Sequence, residues 1–303
     1  MSESRTDPLD ALRAPITPIA PDPLFAAALR ERLVRALPAP SPTQETPMTP
    51  KMTARPRNGW RHGDVSYITL AVPDLARART FYGAVLGWHF SPSSSEHGAQ
   101  VDDVVPMIGL WDGDQPGGQR AHGAVLGFRV DDINAVLDSI RVHGGTVSEP
   151  HVEPYGVTAE GHDNQAIPFY LHEMPTIADE AAGGGPFYNG DVEGDVSYLT
   201  MVVPDVQAAQ AFYGEVFGWT FNIGQAGGAQ VTGVAPQIGM STRPEAGPTT
   251  PGVIMCYRVD DIRSAVQLVR DAGGQSQHVE QRPYGLESLC SDDQGTPFYL
   301  HQL

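Results

Sequence analysis

The chain has 303 residues, and its 19 Lys+Arg against 36 Asp+Glu give a formal net charge of −17 at pH 7. Such a charge repels nucleic acid phosphates and anionic lipids and favours neutral or cationic ligands, although acidity that only maintains solubility is the alternative explanation. Hydrophobic residues make up 41% of the chain, which is ample for ordinary cores, and no apolar run approaches the roughly 20 residues of a membrane span.

Residues 1–58 are predicted to form an N-terminal arm. Asp22 and Pro23 are typical of an N-cap and a first helical turn, and apolar residues then recur at helical spacing as far as Leu37. Six prolines from Pro38 to Pro56 follow and favour an extended linker. The first residues lack a basic-then-apolar segment, so we expect no secretory signal peptide.

The body begins with a predicted strand at 65–72, in which Tyr67 and Thr69 alternate with aliphatic residues. A period of two predicts that the aliphatic face packs against a helix and that the Tyr/Thr face lies on the other side. Asp74 is a predicted N-cap, and Gly87 is predicted to end the helix. Further predicted elements are strands at 101–105, 107–111 and 124–130, a helix capped by Asp131 or Asp132, a loop at 157–164 and a strand at 169–172.

The same pattern occurs twice. The segment GDVSYITLAVPD at 63–74 returns as GDVSYLTMVVPD at 194–205, and later matching segments include RVDDI and PFYLH. Self-similarity of this kind marks a duplicated domain. We expect domains at 59–174 and 194–303, joined by a linker at 175–193.

These motifs resemble those of the vicinal oxygen chelate (VOC) superfamily, which includes glyoxalase I, extradiol dioxygenases and bleomycin- and fosfomycin-resistance proteins. The shared motifs are Val-Pro-Asp, a Phe-Tyr helix ended by Gly-Trp, Arg-Val-Asp-Asp-Ile, Tyr-Gly and Pro-Phe-Tyr-Leu. The resemblance implies an α+β fold of two tandem VOC domains. Each domain would be a pair of βαβββ units that forms an open, curved mixed sheet around a ligand cleft.

The family's metalloenzymes take ligands from four strands of such a pair. By motif, these positions are Tyr67, Gly109, Val125 and Tyr170, and in the second copy Tyr198, Gly239, Ile254 and Tyr299. A divalent ion needs several nitrogen, carboxylate or thiolate donors, and these positions hold no His, Asp, Glu or Gln. We therefore expect no metal ion and no cofactor. The iron site of extradiol dioxygenases would fall on Tyr198, Ile254 and Tyr299, which argues against that activity.

The cleft face that remains is polar and aromatic. Expected ligand-binding residues are Tyr67, Thr69, Trp111, Tyr170 and His172, and in the second copy Tyr198, Thr200, Cys256, Tyr299 and His301. Tyr67, Tyr170 and His172 are the candidate catalytic residues, because a phenol and an imidazole can act as general acid and base. Alternatively, the tyrosines pack between strands and the histidines lie at the rim. A buried hydrophobic role is the usual one for a cysteine placed like Cys256.

Three functions remain open. The first is metal-independent sequestration of a small organic molecule, cationic or carbonyl-rich, as in drug-resistance members of the family. The second is a metal-free lyase, isomerase or cyclase that uses Tyr/His acid–base chemistry, and the third is a non-catalytic scaffold. We expect no nucleic acid or membrane partner, leave self-association open, and expect a cytoplasmic, bacterial protein without a structural disulfide. The first copy is the expected main site, because it has Trp111, Glu160 and His162 where the second has Ser241, Leu289 and Ser291.

Overall fold

The computed structural model describes residues 61–93, 95–104, 106–113, 123–174, 190, 192–224, 227–242 and 250–303. The predicted arm at 1–58 and nearly all of the predicted linker at 175–193 lie outside the described residues. The described parts of both copies belong to one compact unit, Met52–Leu303.

Both copies contain the same elements in the same order. The first copy has β1 (Val65–Ala71), α1 (Leu75–Leu86), β2 (Phe90–Pro92), β3 (Gly98–Val101), β4 (Met107–Trp111), β5 (Gly123–Arg129), α2 (Ile133–Val142), β6 (Thr146–Val147), β7 (His151–Glu153), β8 (Gly156–His162) and β9 (Pro168–Glu173). The second copy has β10 (Val196–Val202), α3 (Val206–Phe217), β11 (Thr220–Ile223), β12 (Ala229–Thr232), β13 (Ile238–Ser241), β14 (Gly252–Arg258), α4 (Ile262–Asp271), β15 (Gln275–Ser276), β16 (Glu280–Arg282), β17 (Gly285–Ser291) and β18 (Pro297–Gln302).

Each copy builds one open mixed sheet from two βαβββ units. In the first copy β1 pairs in parallel with β4 and antiparallel with β5, so the two units join at the centre of the sheet. The strand order is β2-β3-β4-β1-β5-β9-β8-β7, and the second copy repeats it from β11 to β16. Strands β5 and β14 meet at Ala124 and Val253, which joins both copies into one sheet. The predicted α+β fold of paired units is confirmed.

Aspartates start all four described helices. The carboxylate of Asp74 accepts a hydrogen bond from the backbone N–H of Arg77, and Asp132, Asp205 and Asp261 cap the other helices in the same way. Helices α1 and α3 end at Gly87 (φ 68°) and Gly218 (φ 66°), in the left-handed conformation that glycine adopts without steric cost. The predicted beginning and end of α1 are therefore confirmed.

The helices pack across the two copies. Helix α1 lies against α4, and α2 lies against α3. The ring of Phe81 on α1 contacts Phe298 of the second copy with centroids 6.1 Å apart. The indole N–H of Trp88 donates to the carbonyl of Gly194, and that of Trp219 donates to the carbonyl of Gly63, each across 3.0 Å. One hydrophobic core therefore serves both copies, and removal of either copy would expose the other's buried aromatic surface.

Two predicted elements are wrong. The strand expected at 101–105 ends at Val101, because Asp103 takes a left-handed φ of 59° in a turn. The loop expected at 157–164 is strand β8, which pairs with β9 along its whole length. Its polar residues alternate with buried Ala159 and Gly161, and glycine supplies no apolar side chain to reveal that alternation.

Among the helices of the described ranges, none has the length and apolar character needed to span a membrane.

Candidate functional site

A row of side chains crosses the cleft face of the first copy. The register pairs Tyr67 on β1 with Gly127 on β5, and Gly127 with Tyr170 on β9. Glu160 on β8 pairs with Tyr170. Directly paired residues share one face of a sheet, and strands lie about 4.8 Å apart, so the row spans roughly 14 Å. Two of the three candidate catalytic residues, Tyr67 and Tyr170, thus stand on either side of a position that has no side chain.

Tyr67 lies flat on the sheet over Gly109 of β4. A β-carbon on Gly109 would overlap the Tyr67 hydroxyl and stand 2.9 Å from its Cζ. The hydroxyl donates to Gln100 Oε1 across 3.3 Å, and Gln100 Nε2 donates to the carbonyl of Ile108 across 2.9 Å. One face of the phenol ring therefore rests on the backbone of β4, and the opposite face is turned toward the cleft.

The second copy repeats this arrangement. A β-carbon on Gly239 would overlap the hydroxyl of Tyr198 and stand 2.9 Å from its Cζ. In both copies the tyrosine side chain fills the space above the glycine. The tyrosine can lie there only because the glycine has no side chain.

Burial makes these phenols weak acids. It raises the pKa of Tyr67 to about 12, with a smaller contribution from Tyr155. Burial also raises the pKa of Tyr170 to about 12, and the nearby Glu160 adds to that effect. The pKa of Tyr198 is likewise raised to about 12, first by burial and then by Cys256 and Glu287. At neutral pH such hydroxyls remain protonated and can donate hydrogen bonds to a ligand.

The candidate histidines contact the backbone of a turn. His172 Nε2 lies 3.0 Å from the carbonyl oxygen of Tyr155, and the two rings meet edge to face with centroids 5.3 Å apart. In the second copy His301 Nε2 lies 3.1 Å from the carbonyl of Tyr284, with ring centroids 5.5 Å apart. An imidazole that donates to this carbonyl fixes the turn between β7 and β8, or between β16 and β17. His172 is partly exposed and His301 is buried, so the two imidazoles hold equivalent turns at different depths.

The second cleft is filled by apolar side chains. Cys256 stands where the first copy has Gly127, and Leu289 stands where it has Glu160. Cys256 is 5% exposed and Tyr299 is 8% exposed, and both pack with Ile254 and Leu289. Burial raises the pKa of the Cys256 thiol to about 12, so this cysteine is a buried hydrophobic residue rather than a reactive thiol.

An ion-paired group lies beside the second cleft. Arg282 Nη2 lies 2.7 Å from Glu280 Oε2, and its Nε lies 3.5 Å from Glu287 Oε1. The hydroxyl of Tyr284 donates to Glu287 Oε2 across 2.9 Å. The first copy has Glu153 where the second has Arg282, so the two clefts differ in charge.

The other predicted residues lie further along the sheet. Thr69 pairs with Gly109 and Val125, one row from Tyr67, and Thr200 repeats that position in the second copy. Trp111 pairs with Ala71, four residues along β1 from Tyr67, which corresponds to roughly 13 Å. Trp111 therefore stands at the end of the cleft opposite His172, and the predicted residues do not form one cluster.

Two residues of this site were not predicted. Gln100, which holds the Tyr67 hydroxyl, belongs to the repeated segment Ala-Gln-Val, so its recurrence at Gln230 was a usable signal. Tyr155 precedes Gly156, whose φ of 141° explains the glycine of the repeated Tyr-Gly. The tyrosine itself matters as well, since it lies near enough to Tyr67 and Tyr170 to influence both phenols.

The residues at the family's ligand positions do not fit a divalent ion. Gly109 and Val125 offer no donor atom, and the phenols of Tyr67 and Tyr170 stay protonated at neutral pH. Within the described parts of the chain there is no group of three or more His, Cys, Asp or Glu side chains that could hold a metal.

Two family models match the sequence. Residues 64–164 match the Glyoxalase/Bleomycin resistance protein/Dioxygenase superfamily, and residues 197–233 match the family described as Bleomycin resistance protein-like N-terminal. No curated protein sequence was found to match the chain.

Solved structures of similar fold cover most of the chain. A catechol 2,3-dioxygenase matches with a TM-score of 0.57 and 14% identity, over 80% of this chain and 88% of that chain. A Mn(II)-bound glyoxalase from Novosphingobium aromaticivorans matches with a TM-score of 0.57 and 18% identity, over 80% and 82%. The 2,3-dioxygenase LapB from Pseudomonas sp. KL28 matches with a TM-score of 0.56 and 11% identity, over 82% and 94%.

At these identities the structural likeness establishes the fold and nothing finer, whereas the sequence match places the first copy in a family. The match over residues 64–164 places the first copy in the Glyoxalase/Bleomycin resistance protein/Dioxygenase superfamily, and the duplicated βαβββ pairs of the described body have the fold of the vicinal oxygen chelate proteins.

Proposed function

We propose that this chain binds a small organic molecule in the cleft of its first copy, and that it does so without a metal ion. The observation that carries the proposal is the position of Tyr67, whose hydroxyl fills the space of a side chain at Gly109. The similar glyoxalase is a Mn(II)-bound protein, whereas here two of the positions expected to supply ligands form one packed tyrosine–glycine pair. A ligand in this cleft would meet aromatic rings and hydroxyls.

Binding is better supported than acid–base catalysis. A general acid or base works best when its pKa lies near the working pH. The pKa values of Tyr67 and Tyr170 are raised to about 12, and His172 Nε2 lies 3.0 Å from a backbone carbonyl. These groups suit hydrogen-bond donation to a carbonyl or hydroxyl oxygen of a bound molecule. The two free, buried cysteines support a reducing, cytoplasmic location as part of the same proposal.

The first copy is the proposed site because its row of cleft-face residues is the more polar of the two. Gly127 has no side chain where the second copy has Cys256, Glu160 stands where it has Leu289, and Tyr170 is half-buried where Tyr299 is buried. A molecule that stacks on Tyr67 would lie beside Gly127, at the position where the second copy has the buried Cys256.

The test is a thermal-shift screen of small neutral and cationic compounds, performed in EDTA and repeated with Mn²⁺, Fe²⁺, Ni²⁺ or Zn²⁺. We expect at least one compound to raise the melting temperature in EDTA, and to do so equally when metal is added. Stabilisation that appears only with a metal would overturn metal independence. Conversion of the compound to a product, followed by mass spectrometry, would replace the binding role with an enzymatic one.

A further inference from the structure

We propose that the first cleft selects an organic ammonium ion, with the carboxylate of Glu160 as its counter-ion and the rings of Tyr67 and Tyr170 as its aromatic surface. This inference rests on the proposed function and specifies the chemical class of its ligand. The contacts of the three side chains, and their replacements in the second copy, carry the argument.

Glu160 is a carboxylate on the cleft face, without a fixed partner among the described residues. It pairs with Tyr170 across β8 and β9 and is only partly exposed. Among the residues that the structure describes, no side chain or backbone group donates a hydrogen bond to its carboxyl oxygens. Burial raises its pKa, and the nearby His151 and His162 oppose that shift. A half-buried carboxylate in this state gains stability from any cation that enters the cleft.

The tyrosines provide the aromatic surface that an ammonium group needs. The ring of Tyr67 rests on Gly109, and its side chain is partly exposed. Tyr170 stands next to Glu160 in the same row, and Tyr155 lies at the adjoining turn. An organic cation over a tyrosine face is attracted by the ring quadrupole, and the attraction grows when the site excludes water. Aromatic rings beside one carboxylate are a suitable combination for a quaternary ammonium group.

Within the described ranges, no arginine or lysine is ion-paired with Glu160. On the cleft-facing side of β5, Arg129 lies one row away and is ion-paired with Asp131. His151, which is near Glu160, lies 3.6 Å from Glu153 and can form an ion pair with that carboxylate. The carboxylate of Glu160 can therefore attract a cationic ligand.

The second copy keeps the tyrosines of this row but has no carboxylate in it. Leu289 replaces Glu160, and Cys256 covers the gap between the two tyrosines. Its carboxylates, Glu280 and Glu287, lie near Arg282. The two clefts of one molecule thus form a matched pair, and only the first has a carboxylate in the row beside its two partly buried tyrosines.

Isothermal titration with choline and with 3,3-dimethyl-1-butanol, its neutral isostere, tests the inference. We expect choline to bind the full-length protein about tenfold more tightly than the isostere, the difference of about 1.4 kcal/mol that a desolvated cation–π contact and a counter-ion provide. Glu160→Gln should remove that preference. Glu153→Gln, a carboxylate outside the row, should change the choline affinity less than about threefold.

Each outcome has a distinct consequence. Equal binding of choline and its isostere, no choline binding, or a preference that survives Glu160→Gln would overturn the ammonium assignment. If neutral compounds from the EDTA screen still bound the first cleft, the proposed function would stand without it. If no compound bound in EDTA, the proposed function itself would fail.

Discussion

Tyr213 donates a hydrogen bond from its hydroxyl to Asp163 Oδ2 across 3.1 Å, although the two residues belong to different copies of the repeat. Tyr82 and Asp292 form the reciprocal bond, also across 3.1 Å. Both tyrosines are fully buried, and both aspartates are almost so. Each aspartate also accepts bonds from backbone N–H groups of its own turn, so each copy completes a buried polar group of the other.

Tyr213→Phe should destabilise the whole body by about 1–2 kcal/mol, because Asp163 then loses a donor that no water replaces. Burial already raises the pKa of Asp163, and the bond from Tyr213 is among those that lower it. The free energy of unfolding, measured in urea at pH 7, gives the effect. Tyr155→Phe is the control, since Tyr155 is 60% exposed, and its change should stay within about 0.5 kcal/mol. Equal unfolding midpoints for both variants would show that the hydrogen bond between Tyr213 and Asp163 does not stabilise the protein.

A second prediction compares two glycine-to-alanine substitutions of opposite sign. Gly109→Ala should destabilise the protein by about 1–3 kcal/mol, because the new methyl group must displace the Tyr67 ring. Gly83 lies in helix α1, and a β-carbon there would meet its nearest atom, the carbonyl oxygen of Trp88, at 3.4 Å. Gly83→Ala should therefore stabilise by about 0.5–1 kcal/mol, through helix propensity and a less flexible unfolded chain.

Urea unfolding of both variants checks this pair of signs. A neutral Gly109→Ala would mean that Tyr67 has room to leave its position, and the packed tyrosine–glycine pair would then be no obstacle to other cleft geometries. Gly109→Ala combined with Tyr67→Ala should recover part of the loss, because the overlapping ring is then absent.

Much of the fold follows from local patterns. The alternation of Tyr67 and Thr69 with Ile68 and Leu70 separates the cleft face from the buried face, and the structure has the aliphatic pair fully buried. Asp74 caps α1 as its position before an apolar stripe predicted. These features depend on residues close together in the chain, so one sequence suffices to find them.

The remaining features depend on contacts between distant residues. His172 has the chemistry of an acid or base, but its type cannot reveal that Nε2 lies against the carbonyl of Tyr155, 17 residues away. The duplicated sequence likewise predicts two similar halves, but it does not show that α1 packs against α4 of the other half. The repeat shows that Gln100 recurs in the second copy, but only the structure shows that its side chain accepts a hydrogen bond from the Tyr67 hydroxyl.

A third prediction exchanges the residue that separates the two clefts. Gly127→Cys should place a side chain between Tyr67 and Tyr170. The new β-carbon would lie 3.2 Å from the Tyr67 carbonyl oxygen, a tight contact that β1 must relieve by a shift of a few tenths of an ångström. The second copy already holds Cys256 at the equivalent place. Any compound that stabilises the wild type in EDTA should lose at least about tenfold in affinity, equal to about 1.4 kcal/mol. Cys256→Gly is the matched variant and should leave that affinity unchanged.

The contrary result is informative. If Cys256→Gly weakened binding and Gly127→Cys did not, the ligand would occupy the second copy. Loss in both variants would place a ligand in each cleft or across the shared sheet. Circular dichroism and the urea midpoint of each variant separate a filled cleft from a misfolded protein.

The last prediction concerns alkaline pH. The pKa values of Tyr67, Tyr170 and Tyr198 are raised to about 12 in the folded protein, against an ordinary tyrosine value of about 10. Between these values the unfolded chain releases protons that the folded protein retains, so their stabilising contribution is complete below pH 10 and is lost as the pH rises toward 12.

Urea unfolding at half-unit steps from pH 7 to pH 11 should therefore show a free energy of unfolding that falls more steeply above about pH 10. Tyr67→Phe and Tyr170→Phe should each make the decline above pH 10 shallower, because phenylalanine has no proton to lose, while the curves from pH 7 to 9 keep the same slope. A tyrosine poised for acid–base catalysis would instead have a pKa near neutrality, and its replacement would change the slope between pH 7 and 9. That second pattern would favour a metal-free enzyme over a binding protein.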